Sequence, residues 1–102
     1  MDSLIEINIE ANVIESMKTC YSESEINSID NNPKDLIASI LLLREIGVNE
    51  DIINKILIYD YHVLMPGRKA LLNALSKIGD IPKFFSSLEE DITNLEYLTD
   101  ID

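Results

Sequence analysis

Closely spaced helix stop and start signals divide this chain, and their spacing is the feature that most constrains its fold. Gly47 and Asn49 lie two residues apart between two apolar segments. A glycine can adopt the left-handed conformation that ends a helix, and an asparagine can cap the next one. Pro66-Gly67 and Gly79-Asp80 punctuate the chain in a similar way. Because linkers this short make successive helices pack as neighbours, the sequence predicts an all-α protein, a compact bundle or orthogonal array of four to five helices.

The spacing of apolar residues indicates where these helices lie. Ser22 and Glu25 have the spacing of a capping box, which predicts a short helical turn after them. Ser87 and Glu90 have the same spacing, so a break near residue 86 is a second prediction. Apolar residues recur every three to four positions in five segments. The predicted helices run over about residues 11–21, 33–46, 49–61 and 68–78, with a last amphipathic segment from 80 onward.

Two segments also fit a β-strand. Ile5, Ile7 and Ile9 alternate with polar residues, so residues 1–10 are interpreted as extended, with a short N-terminal strand. Residues 56–64 are rich in β-branched and aromatic side chains, which favour strands. For this second segment the helix caps before it favour a helix that continues to about residue 61.

Length and composition predict one helical domain over residues 1–102, with residues 99–102 frayed. Cys20 is the only cysteine, so the chain has no internal disulfide. We find neither an apolar segment long enough for a membrane span nor the features of a signal peptide, which predicts a cytoplasmic protein. Abundant Ile and Asn suggest an AT-rich bacterial or phage gene.

The net charge of −11 is concentrated at the two ends of the chain. Residues 1–31 hold seven acidic residues and one basic residue, and residues 80–102 hold the same numbers. This balance disfavours nucleic acids and anionic membranes, both of which attract Lys and Arg. It favours a protein partner with a basic surface, and a homodimer is a further interpretation if Leu42 and Tyr59 are exposed together as one patch.

Motifs for catalysis or metal binding are absent from the sequence. The single histidine, His62, lies 42 positions from Cys20, and no pair of Cys or His residues has a zinc-binding spacing. The acidic pairs lie on a helix face where we expect solvent, and solvated carboxylates keep similar pKa values. We therefore expect no enzymatic activity, no catalytic residue, no cofactor and no metal.

Acidic and exposed apolar side chains are the candidate contacts for a partner protein. Leu42 and Tyr59 project away from the main apolar faces of their helices, although complete burial of Leu42 is the alternative that we favour slightly. Together with an acidic face of the last segment they form the predicted partner-binding set, which comprises Glu89, Glu90, Asp91, Glu96, Leu42 and Tyr59. We expect a small acidic regulator, inhibitor or immunity-type factor that masks a basic surface of its partner. In a more specific version of this hypothesis, its carboxylates imitate DNA phosphates and block a nucleic-acid-binding protein.

Arg68 and Lys69 support two other interpretations. They lie at the start of a predicted helix, where free backbone N–H groups and two cations favour an anion or an acidic partner. The segment Leu43–Ile52 resembles the tight helical turns of helix-turn-helix regulators and of ubiquitin-associated-type three-helix modules. The first resemblance implies the alternative function, a DNA-binding transcriptional regulator that uses the helix at 68–78.

Overall fold

The computed structural model describes residues 1–99, and these residues form eight α-helices, two 3₁₀ turns and no strand. The all-α prediction is confirmed. The 3₁₀ turns are Tyr61–Leu64 and Ile92–Leu95. The α-helices are α1 (Asp2–Glu6), α2 (Ala11–Cys20), α3 (Glu23–Asn31), α4 (Lys34–Glu45), α5 (Glu50–Asp60), α6 (Arg68–Ser76), α7 (Ile81–Glu90) and α8 (Glu96–Thr99).

The predicted number of four to five helices is wrong, because α1, α3 and α8 are additional helices, and a capping box starts α3. The Ser22 hydroxyl accepts a hydrogen bond from the Glu25 N–H, and the Glu25 carboxylate accepts one from the Ser22 N–H. This capping box starts a helix of nine residues, α3, rather than a short turn. The break predicted near residue 86 lies instead at Asp91, whose side chain accepts a hydrogen bond from Thr93 N–H and starts the second 3₁₀ turn.

The predicted N-terminal strand is wrong, and residues 2–6 form α1. Leu4 and Ile9 are buried but Ile5 is 53% exposed, so the alternating residues do not share one buried face. Asn8 adopts a left-handed conformation with φ of 70°, which turns the chain after α1. An extended segment needs a neighbouring strand for its backbone hydrogen bonds. Residues 1–99 provide no such strand, whereas a helical turn pairs its own groups.

The connection between α4 and α5 confirms the predicted stop and start signals. Gly47 has φ of 90°, and the Val48 N–H reaches back to the Leu43 carbonyl at 2.9 Å. This hydrogen bond satisfies one of the free carbonyls at the helix end. The Asn49 side chain then accepts a hydrogen bond from Asp51 N–H at 2.7 Å and caps α5. The strand alternative for residues 56–64 is wrong, because α5 continues to Asp60 and the first 3₁₀ turn follows.

The prediction that Leu42 is an exposed contact residue is wrong, because its side chain is only 1% exposed. Its side of α4 is covered by the segment that contains the first 3₁₀ turn. Ser39 on this side is completely buried, and its hydroxyl donates a 2.6 Å hydrogen bond to the Leu64 carbonyl. The leucine of α4 that reaches solvent is instead Leu41, at 44% exposure.

Gly67 lies against the same side of α4, at the N-cap of α6. Its backbone has φ of 96° and ψ of −176°, a combination that is essentially restricted to glycine. A Cβ atom at this position would lie 3.1 Å from Asp35 Oδ1. The close approach of α6 to α4 therefore depends on the absence of a side chain at Gly67.

One hydrophobic core joins all these elements, from Leu4 in α1 to Leu98 in α8. It is built mainly from leucine and isoleucine, as the low aromatic content requires. Among residues 1–99, no helix combines the length and apolar character that a membrane crossing needs. Residues 99–102 are the ones predicted to be frayed, and of these residues 100–102 lie outside the part of the chain that the structure describes.

Candidate partner-binding groove

A groove of about 630 Å³ lies where the ends of α2 and α7 meet α5 and the second 3₁₀ turn. Its volume is within the range of known ligand-binding clefts. We call its buried and half-buried lining residues the floor, which consists of Tyr21, Ile58, Leu88 and Ile92. We call its exposed lining residues the rim, which consists of Cys20, Lys55, Tyr59, Glu89 and Glu90. The groove thus has a largely apolar floor and a polar rim.

Helix α5 places Tyr59 on the rim. Ile53, Ile56 and Leu57 are buried in the core, so the opposite side of the helix faces outward. On that side Tyr59 is 42% exposed. Its ring also borders a second depression, of about 300 Å³, which Glu96 lines as well. Tyr59 is therefore shared between two neighbouring concave surfaces.

The Tyr21 hydroxyl holds the floor against α5 by inserting into the hydrogen-bond ladder of that helix. Its oxygen lies 2.6 Å from the Leu57 carbonyl oxygen and accepts a hydrogen bond from the Tyr61 N–H at 3.2 Å. In a regular helix Tyr61 N–H would bond directly to Leu57, four residues earlier. The inserted hydroxyl explains why α5 gives way to a 3₁₀ turn at Tyr61.

Burial raises the pKa of the Tyr21 hydroxyl to about 12, an effect that the Tyr61 N–H partly opposes. The hydroxyl consequently stays neutral at physiological pH and keeps its proton to donate. The Tyr21 and Tyr61 rings also meet edge to face, with centroids 4.7 Å apart. Both contacts hold Tyr21 against the end of α5.

Three of the predicted partner-binding residues come together in the groove: Tyr59, Glu89 and Glu90. Asp91 lies next to them but has a local role, because its carboxylate accepts hydrogen bonds from the Thr93 hydroxyl and N–H at 2.6 Å and 3.0 Å. These two hydrogen bonds lower the pKa of Asp91. Glu96 lies in the adjoining depression rather than in the groove.

Most of the groove lining consists of residues that the sequence did not predict as contacts. Cys20 was not among the predicted contact residues, although it is exposed on the rim. Lys55 was not considered, although its Nζ donates a hydrogen bond to the Glu89 carbonyl at 3.2 Å. Both residues lie far along the chain from Glu89, so only the packing of α2 and α5 against α7 brings them together. The position of Tyr21 directly after α2 is a signal in the sequence that could have indicated part of this lining, because the hydroxyl of a tyrosine at a helix end can reach a neighbouring helix.

Arg68 has its acidic partner within the chain. Its guanidinium contacts the Glu45 carboxylate at 2.6 Å and 3.3 Å. The hydrogen bond from Arg68 lowers the pKa of Glu45, and the same contact raises the pKa of Arg68. An external anion or a DNA phosphate would have to displace Glu45. Lys69, the second predicted contact, is exposed at the start of α6.

His62 links the first 3₁₀ turn to α3. Its Nδ1 lies 2.8 Å from Asp60 Oδ1 and its Nε2 lies 3.3 Å from Glu25 Oε2. The ring stacks on Tyr61, with centroids 4.1 Å apart. His62 is therefore both held by carboxylates and 56% exposed. Among residues 1–99, no group of three or more His, Cys, Asp or Glu side chains has the arrangement of a metal site.

A comparison of the chain with protein-family models, curated proteins and solved structures found no match.

Proposed function

We propose that this protein is a non-enzymatic interaction protein, a small acidic regulator or inhibitor that masks a basic surface of a partner protein. The observation that carries the proposal is the exposed ring of Tyr59 on a groove with an apolar floor and an acidic rim. Tyrosine is enriched among the residues that dominate binding energy at protein interfaces. Glu89 and Glu90 on the same rim favour a basic partner over an acidic one.

The charge distribution supports the same partner chemistry. Residues 80–102, which include Glu89 and Glu90, hold seven acidic residues and one basic residue. A surface of this sign attracts a basic protein over a distance set by the ionic strength. A nucleic-acid-binding protein is the sharper version of this partner, since carboxylates at the groove would compete with DNA phosphates for its Lys and Arg side chains.

Cys20 offers a direct test, because it is the only cysteine and lies exposed on the rim. A photo-activatable cross-linker attached to Cys20 should form adducts in extracts of the host cells with a basic segment of one partner protein, identified by mass spectrometry. The control is Cys20→Ser/Ser28→Cys, which moves the label to an exposed position on α3. Equal adducts from both labels, or an adduct with a second copy of the chain, would overturn the proposal.

Charge reversal separates an electrostatic interface from an apolar one. Glu89→Lys/Glu90→Lys should abolish the adduct, whereas Glu6→Lys/Glu15→Lys changes the net charge equally at exposed positions elsewhere and should preserve it. The adduct should also weaken between about 0.01 M and 0.15 M salt, as the Debye length falls from about 30 Å to about 8 Å. Adducts that resist both changes would contradict a basic partner.

A further inference from the structure

Three helices end at the groove. The last residue of α2 is Cys20, the last residue of α7 is Glu90, and Tyr59 is the next-to-last residue of α5. All three line the groove. The last carbonyl groups of a helix lack partners within it, and they carry roughly half a negative charge. The carbonyls at the ends of α2 and α7 therefore add negative potential to that of the two glutamates, whereas in α5 the Tyr21 hydroxyl already bonds to the Leu57 and Ile58 carbonyls.

Little positive charge within the chain offsets this potential. The last turns of α5 and α7 contain no basic residue. Lys18 in the last turn of α2 lies 3.8 Å from Glu15. Lys55 is the one basic residue on the part of the groove that the structure describes, and its ammonium group donates to the backbone carbonyl of Glu89. The chain thus already places a cation on a helix-end carbonyl in this groove.

We propose that the groove binds an arginine side chain of the partner protein together with a neighbouring apolar side chain. This inference rests on the proposed function and specifies the chemistry that the groove recognises. The guanidinium lies at Glu90 and the helix-end carbonyls, and the exposed ring of Tyr59 provides a face on which it stacks. The apolar side chain covers Ile58, Leu88 and Ile92.

Arginine fits this surface better than lysine for a physical reason. Its guanidinium is planar, weakly hydrated and has several N–H donors, so it can stack on Tyr59 and donate to more than one oxygen. The ammonium group of a lysine is more strongly hydrated, and the chain's own Lys55 ammonium already donates to the Glu89 carbonyl in this groove. The volume of about 630 Å³ leaves room for a second, apolar side chain beside the cation.

The test uses a pair of small probes that differ in charge and hardly in shape, phenethylguanidinium and the neutral phenethylurea. Each is titrated into the ¹⁵N-labelled protein at low salt, and backbone amide shifts are followed. We expect phenethylguanidinium to shift residues 20–21, 58–59 and 89–92 and to bind about tenfold more tightly than phenethylurea. Equal affinities of the two probes, or amide shifts confined to the residues around His62 such as Glu25 and Asp60, would overturn the inference.

Two variants test the source of the selectivity. Glu89→Gln/Glu90→Gln should weaken guanidinium binding about threefold to tenfold and leave urea binding unchanged. Lys55→Met should have the opposite effect, strengthening guanidinium binding about twofold to threefold, because it removes the competing cation. Glu6→Gln/Glu10→Gln, at two exposed positions away from the groove, is the matched control and should change neither affinity. A loss of guanidinium binding in Lys55→Met would contradict the inference.

The outcomes also distinguish this inference from the proposed function. If the Cys20 cross-link captures a basic partner but the groove does not select guanidinium over urea, a basic partner docks here by apolar contacts and the arginine inference falls alone. If the groove selects guanidinium but the cross-linker captures no basic partner, the recognition chemistry stands and the proposed function falls.

Discussion

Removing the hydroxyl of Tyr21 is the sharpest test of how the groove is built. In Tyr21→Phe the ring keeps its contacts, but Tyr61 N–H loses its acceptor and the Leu57 and Ile58 carbonyls lose a donor. The substitution therefore isolates the inserted hydrogen bonds from the packing of the floor.

The expected loss follows from the number of groups affected. A net hydrogen bond contributes about 1 kcal/mol, and a buried group left without a partner costs about 1–3 kcal/mol. Part of this cost is recovered, because Tyr61 N–H and the Leu57 carbonyl are four residues apart and can bond to each other directly. We expect the free energy of unfolding to fall by about 1.5–2 kcal/mol.

Urea denaturation followed by circular dichroism measures this change. For a chain of this size, a loss of that order lowers the melting temperature by about 10 °C. Tyr97→Phe is the matched control, since the Tyr97 side chain is 61% exposed and should lose less than about 0.5 kcal/mol. Equal stabilities of the two variants would refute the inserted-hydroxyl argument.

The pH dependence of stability gives the same residue a second signature. The folded-state pKa of Tyr21 is about 12, above its ordinary value of 10.0. A raised pKa means that the stabilisation is fully present below pH 10 and is lost as the pH rises from 10 towards 12. The difference in unfolding free energy between the natural protein and Tyr21→Phe should shrink across this window. Tyr61, whose pKa is also raised by burial, is present in both proteins.

Three other predictions concern the side of α4 that faces α6. Gly67→Ala should cost about 1–3 kcal/mol of stability in urea denaturation, because its backbone conformation is restricted to glycine and the added Cβ would meet the Asp35 carboxylate. Gly47→Ala, where the added Cβ would meet no atom within 4 Å, should cost about 1 kcal/mol. Equal losses in the two variants would contradict the contact with Asp35. Ser39→Ala should lower the unfolding free energy by about 1 kcal/mol, and an unchanged value would show that its buried hydrogen bond contributes nothing. In Arg68→Gln the pKa of Glu45 should return towards its ordinary value, followed by ¹³C carboxyl shifts during a pH titration; an unchanged pKa would exclude the ion pair.

Local chemistry explains which parts of the fold could be predicted from the sequence. Gly47 and Asn49 act on backbone groups within a few residues, so the end of α4 and the start of α5 were readable from the sequence. The N-terminal strand was predicted wrongly because Ile5 follows the alternating pattern but faces solvent. The alternation of apolar and polar residues does not show whether the fold provides a neighbouring strand with which the segment could pair.

The candidate groove could be predicted only in part. Tyr59, Glu89 and Glu90 were chosen for their residue types, which are visible in the sequence. Their meeting with Cys20 and Tyr21 depends on how α2, α5 and α7 pack, and the sequence does not encode that geometry locally. Leu42 shows the same limit, since its side of α4 is covered by the segment that contains the first 3₁₀ turn, which lies about 20 residues further along the chain.

The buried hydroxyl of Ser39 has a consequence for the uniqueness of the fold. Helix α4 carries leucines at three consecutive positions, Leu41 to Leu43, so apolar packing alone gives nearly equal support to several rotations of this helix about its axis. A rotation that turned Ser39 away would leave its hydrogen bond to the Leu64 carbonyl unmade, and the Asp35–Gly67 contact would open with it. One small polar side chain thus favours a single orientation of this helix, and with it the leucine that reaches solvent.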